Sequence, residues 1–389
     1  MLIKSCLSIR GRLLTSNKSI FLLIMSSLLL LTTNCGDGGS PTEPGQPTQS
    51  ITLLGNLNFP ISSVTDVWGY FDQKSGKEFA VVGYGIFTAP PDAGFFLVDV
   101  TNPANPVQVA NVNTVPGFDV KVWQHYVYTV KGDTLGPGAI VDVADPQKPQ
   151  QVGVIPGAHN IFIDANGYMY LECPGLRIFD LNVDPTNPAL VWEDEDSKNR
   201  NMRNCHDAAV IGNRLFDFHG FAGTNIYDIT DPTQPQLLGA IDDPAIQFNH
   251  SGWTTESGEF LYICDELAQG SIPDITIWDI RDVTSPKKVS NDITDQNAIV
   301  HNLFVIDNLA FVSYYTAGFR VFNISDPSKP ILADEFDTSP SEFGEMFSGD
   351  FGVFPFAPSG NIYVSDVENG LFIFSVSNGV AGVAAQASQ

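Results

Sequence analysis

Short apolar runs bounded by turn residues fill this chain from Ile51 onward, and one such run recurs seven times. It is a β-rich pentad ending in Asp or a stand-in, usually followed by a turn between prolines. The copies are FFLVDVTNPANP (Phe95–Pro106), GAIVDVADPQKP (Gly138–Pro149), LRIFDLNVDPTNP (Leu176–Pro188), TNIYDITDPTQP (Thr224–Pro235), ITIWDIRDVTSP (Ile275–Pro286) and FRVFNISDPSKP (Phe319–Pro330). The seventh, LFIFSVSNG (Leu371–Gly379), lacks the prolines. The slot residues are Asp99, Asp142, Asp180, Asp228, Asp279, Asn323 and Ser375, at gaps of 43, 38, 48, 51, 44 and 52 residues. A period in the forties means one supersecondary unit stacked on itself. Each unit holds about four strand-like runs; in the third they are HNIFIDANG, YMYLEC, LRIFDL and PALVWE. Four short antiparallel strands per unit predict propeller blades, and no amphipathic helix is evident after residue 35.

The ends predict a closed ring. The last unit stops after its third strand, whereas ITLLGNLNFP (Ile51–Pro60) resembles the fourth strands PQLLGAID (Pro235–Asp242) and PQQVGVIP (Pro149–Pro156). The N-terminal strand is therefore expected to complete the last blade and remove an exposed edge. The fold class is all-β, a seven-bladed β-propeller over residues 51–378. The Asp-Pro turns need no ligand to explain them, since Asp favours turn initiation and Pro presets φ.

Composition refines this picture. A net charge of −25 on 389 residues excludes nucleic acid as a partner, because phosphate contacts need a basic face. It suits solubility outside the cell and attraction of cations. All four basic residues before Cys35 (Lys4, Arg10, Arg12, Lys18) precede any acid and lead into an apolar run, Ile20–Leu31. That run is too short to span a bilayer comfortably and matches a signal-peptide core. Residues 1–34 read as a lipoprotein-type signal peptide, Cys35 as the lipid-bearing first mature residue, 35–50 as a flexible tether and 379–389 as a disordered tail. Localisation is then outside the cytoplasm, with membrane contact only through the anchor. An ordinary secreted protein is the alternative.

Cys173, Cys205 and Cys264 remain after the leader. In a blade, the start of the first strand and the end of the second lie on one face. Cys173 ends a second strand and Cys205 starts the next unit's first, so a Cys173–Cys205 disulfide is the favoured pairing. Three free, buried thiols are the alternative.

Four consecutive units open with His and a small polar residue: His159–Asn160, His206–Asp207, His250–Ser251 and His301–Asn302. The others place an acid there: Asp66, Asp119 and Asp350. If first strands line the channel, Asp66, Asp119, Asn160, Asp207, Ser251, Asn302 and Asp350 form a ring at its mouth, with the histidines beside it over one arc. Such a set suits a divalent metal: His with carboxylates for zinc, iron, nickel or copper, oxygen alone for calcium. A residue repeated across blades also serves simply to tie loops together. His125 and His219 fall outside the register and read as incidental, and the acidic pair Asp265–Glu266 reads as a solvated loop. No phosphate loop, GxSxG or HExxH is present.

The pentads resemble LVIVD repeats, and the mature chain resembles the choice-of-anchor B family. The resemblance rests on CHDAAV (Cys205–Val210), HSGWTTESGEFLYICDE (His250–Glu266) and GDFGVFPFAPSGNIYVSDVENGLFIF (Gly349–Phe374). Asn249 stands where that family carries Cys, and Phe351 where Trp is usual. The resemblance implies a surface or secreted propeller and no particular reaction. The expected function is a monomeric binding module with a protein or glycan partner on a propeller face. One alternative is a metal-dependent hydrolase using His206, His250, His301 and Asp207, and another is a purely structural surface protein.

Overall fold

The apolar pentads become the third strand of each sheet: Gly94–Asp99, Gly138–Asp142, Leu176–Asp180, Thr224–Asp228, Ile275–Asp279, Gly318–Asn323 and Gly370–Val376. The structure, a computed structural model, describes residues 50–377 except 62, 134, 200–204 and 290–292. The expected leader, Cys35, nearly all of the tether and the tail lie outside the described residues.

Seven four-stranded antiparallel sheets form, six of them in simple sequence order. Their innermost strands are Val64–Asp72, Asp119–Trp123, Asn160–Ile163, Asp207–Ile211, Asn249–Thr254, Leu303–Ile306 and Asp350–Phe354, in blades 1 to 7. The seventh sheet takes Ile51–Leu57 as its outer strand, paired antiparallel with Gly370–Val376 from Ile51 opposite Val376 to Leu57 opposite Leu371. The ladder starts one residue earlier than expected, since Ser377 N donates to the Ser50 carbonyl. The seven-bladed, ring-closed propeller is thus the fold. One single-turn helix, Glu195–Lys198, departs from the all-strand expectation; Asp194 caps it by accepting from Ser197 N.

The repeated Asp has a local cause. Its carboxylate accepts the N–H two residues on, closing an Asx-turn: Asp99 to Thr101, Asp142 to Ala144, Asp180 to Asn182, Asp228 to Thr230 and Asp279 to Arg281, with Asn323 to Ser325 equivalent. The glycine of three fourth strands, Gly55, Gly153 and Gly239, has a different one. A Cβ on Gly55 would sit 2.0 Å from the Pro103 carbonyl oxygen, and one on Gly239 1.9 Å from that of Val283. Only a bare backbone lets these outer strands press so closely on the next blade's turn.

Buried tyrosines of the second strands join neighbouring blades. Tyr128 Oη donates to the Pro185 carbonyl (2.8 Å) and Tyr262 Oη to that of Pro327 (3.0 Å). Tyr363 Oη donates to Glu78 (2.8 Å), locking blade 7 to blade 1. Among the described residues no helix is long and apolar enough to cross a membrane.

Candidate functional site

The start of four innermost strands brings four imidazoles into a continuous arc. Ring centroids are 4.5 Å apart for His159–His206, 4.2 Å for His206–His250 and 4.5 Å for His250–His301. Main-chain carbonyls orient them. His159 Nδ1 meets Gly132 O at 2.6 Å, His206 Nδ1 meets His250 O at 2.9 Å, and His301 Nδ1 bonds Phe351 O. A carbonyl can only accept, so each of these Nδ1 atoms carries the proton and the neutral ring offers Nε2 as a lone pair. His159 Nε2 and His206 Nε2 lie 3.0 Å apart. His250 Nδ1 faces the His301 carbonyl, which also accepts from Ser251 Oγ at 2.8 Å. Burial lowers the pKa of all four. His206 and His250 are pushed down further by their histidine neighbours, and His301 falls to about 4. The arc is neutral at physiological pH.

Glu266 completes the arc, which corrects its reading as a solvated loop residue. Its carboxylate reaches His250 Nε2 at 3.5 Å and His301 Nε2 at 3.7 Å and accepts from Tyr315 Oη at 2.8 Å. Burial raises its pKa to about 7. One ligand atom each of His206, His250 and Glu266 lies within 4.8 Å of the others. Asp265 is buried too, and accepts from Gln247, Phe248 and Leu267 backbone N–H groups.

The acidic side of the expected ring is assembled differently. Asp66, Asp119, Asn160, Asp207, Ser251 and Asn302 line the channel end together with the histidines. Asp66 and Asp119, however, share the buried ammonium of Lys121, which is 2.6 Å from Asp66 and bonded to Asp119. Their charge holds Lys121 protonated against the desolvation that opposes it. A calcium ion there would have to displace this ammonium. Asp119 also accepts from Ile161 N at 2.6 Å, tying blade 2 to blade 3. Asp207 is raised to about 7 by burial and accepts from Ala208 N. Asp350 does not join the ring. A register shift between Asp350 and Gly352 turns Phe351 into the channel, while Asp350, fully buried, pairs through its backbone with Tyr315. Sequence reasoning missed Lys121 as a site residue, although a lone lysine inside DVKVW is its signal.

Aromatic rings flank the arc. Phe118 packs on His159 (5.2 Å), Phe248 on His206 (4.9 Å) and Tyr315 on His301 (4.9 Å). Each carries an exposed outer partner: Phe87 on Phe118, Phe221 on Phe248 and Phe347 on Tyr315. Further along the innermost strands Trp68, Phe162, Trp253 and Phe304 line the same cavity.

Cys173 and Cys205 are bonded (S–S 2.14 Å, Cα–Cα 5.2 Å), joining blades 3 and 4 just before His206. Cys264 is free and buried, its thiol pKa raised by desolvation. His125 stays outside the arc, 4.0 Å from Asp142. His219 is not incidental packing: it is buried against Asp217.

The LVIVD repeat family model matches residues 79–114 and 299–338, which fall in blades 1 and 6. A solved structure of the WD40 β-propeller domain of Doa1 superposes with a TM-score of 0.55 at 12% identity, covering 84% of this chain and 97% of that one. That likeness is one of fold. No curated protein matches the chain.

Proposed function

We propose that this chain is an exported, lipid-tethered propeller that works as a binding module, and that the histidine end of its channel holds a divalent transition-metal ion. One observation carries the reading. His159, His206 and His301 spend their Nδ1 protons on backbone carbonyls, so their Nε2 lone pairs, with that of His250 and the Glu266 carboxylate, are left to converge. Backbone carbonyls that fix the tautomer and ring plane are the usual outer support of metal-binding histidines. Imidazole donors with one carboxylate select zinc, copper, nickel or iron over calcium. A metal also removes the repulsion of two bare nitrogens 3.0 Å apart. The exposed rim of Phe87, Phe221 and Phe347 gives a protein or glycan ligand a surface on which to dock around the ion.

Export is supported by the basic stretch and apolar run before Cys35, by the acidic composition and by the Cys173–Cys205 bond, which needs an oxidising compartment. The test of the site is the metal content of purified protein after dialysis against metal-free buffer. One transition-metal ion per chain is expected that His206→Gln and His250→Gln variants lose. Folded protein whose retention and uptake of zinc, copper, nickel and iron are unchanged by both substitutions overturns the reading.

A further inference from the structure

The seam between blades 3 and 4 holds a second cluster of titratable groups that shares no residue with the channel arc. Asp217, on the strand Arg214–Phe218, has 0% exposure, and neither carboxylate oxygen has a hydrogen-bond partner. Glu172, at the end of Tyr168–Glu172, is 1% exposed and also has both oxygens without a hydrogen-bond partner. The one cationic group against Asp217 among the described residues is His219, whose Nε2 lies 2.5 Å from Asp217 Oδ2 and 3.4 Å from Asn225 Nδ2. Asp194 reaches in from the outer edge of blade 3, one of its oxygens accepting from Ser197 N at 2.6 Å. One ligand atom each of Asp194, Asp217 and His219 falls within 4.8 Å of the others.

Charge makes this arrangement unstable on its own. Glu172, Asp194 and Asp217 act on one another electrostatically, and the nearby cations are Arg177 and, if protonated, His219. Arg177 directs Nη2 to the Gly157 and Cys173 carbonyls, both at 3.0 Å. Carboxylates removed from water without hydrogen bonds carry a large desolvation cost unless a cation or proton compensates them. A cleft lined by Trp192, Glu193, Glu195 and Tyr227 opens beside the cluster and gives an acidic entry path.

We propose that Asp194, Asp217 and His219 bind a divalent metal ion that clamps blade 3 to blade 4, with Glu172 contributing negative charge behind it. The imidazole in the set points to zinc rather than calcium, which takes oxygen ligands. The ion would act beside the Cys173–Cys205 bond, which joins the same two blades directly after Glu172. It is a structural staple, distinct from the ligand-binding end of the channel.

The test titrates chelator-stripped full-length protein with Zn²⁺ alone and counts bound ions by mass spectrometry. The wild type is expected to take up one ion that survives His206→Gln with His250→Gln but is lost in His219→Gln and Asp194→Asn, with affinity down by more than the ~10–100-fold typical of losing an outer-shell partner. Asp194 is only partly buried, so its variant keeps the test sound should changes at Asp217 impair folding. Zn²⁺ should also raise the melting temperature of the channel double variant and leave unchanged that of the same variant with Asp194→Asn added. Uptake that is identical in wild type, His219→Gln and Asp194→Asn overturns the proposal, whatever the channel variants show.

Discussion

His159 and His206 face each other Nε2 to Nε2 at 3.0 Å, each with its Nδ1 proton already given to a backbone carbonyl. Burial opposes a second proton on either ring. Stripped protein titrated with Co²⁺ alone should therefore develop visible ligand-field absorption. In an Asp194→Asn background, where only the channel arc binds, His206→Gln should abolish it. Glu266→Gln, which keeps the imidazoles, should weaken binding by about 10-fold or more. A spectrum indifferent to His206→Gln would place Co²⁺ elsewhere.

Lys121 is the sole counter-charge bonded to Asp66 and Asp119 among the described residues. Lys121→Met keeps much of the side chain's packing over Trp68 but strands two buried carboxylates. Urea unfolding should show a loss of about 3–5 kcal/mol, the typical cost of breaking a buried pair. Adding Asp66→Asn and Asp119→Asn should recover much of that loss.

Burial, with the charge of Asp295 adding, raises the Asp274 pKa from 3.8 to about 7, against the hydrogen bond it accepts from Asp295 N. Between these values the unfolded chain has released the proton and the folded one has kept it, so stability falls as pH rises from about 4 to 7 and is flat above. The contribution is at most roughly 4 kcal/mol. Asp274→Asn should remove that share of the slope in unfolding measured at pH 5 and pH 8. An unchanged slope would mean that Asp274 titrates normally in the folded protein.

Cys35→Ser should move the protein from the membrane fraction to the soluble fraction and prevent incorporation of labelled fatty acid. Unlabelled wild-type protein in the medium would favour the plain secreted form.

Removing residues up to Leu57 should leave the edge of Gly370–Val376 unpaired. Light scattering is expected to show self-association of a variant starting at Asn58, as bare strand edges recruit other chains.

Local chemistry explains what is legible in the sequence. The Asp of each pentad acts within two residues of itself, so its repetition reads directly as a turn. The Gly of the fourth strands marks the closing strand because its cause, a neighbouring turn pressed against backbone, recurs in other blades. The histidine arc is legible because the same position opens four successive strands. Asp350 escapes such a reading because one extra residue in a strand flips every side chain beyond it, and nothing in GDFGV announces the shift at Phe351. Glu266 and Lys121 acquire their roles from partners on other strands and in other blades, so no local spacing marks them; His219 has Asp217 two residues away, but its third partner, Asp194, comes from blade 3.

The closing ladder also sets how the ring bears load. Ile51 opposes Val376, so a pull on the amino-terminal end arrives at one end of the ladder and not along its length. The Ser50–Ser377 bonds and the Ile51 N–H bond to Asp334 Oδ2 of blade 6 (2.7 Å) take the force first, and the pairs down to Leu57 then separate in succession. A chain pulled at this end therefore yields by unzipping, and these few pairs act as a mechanical fuse that opens the ring where blade 7 meets blade 6.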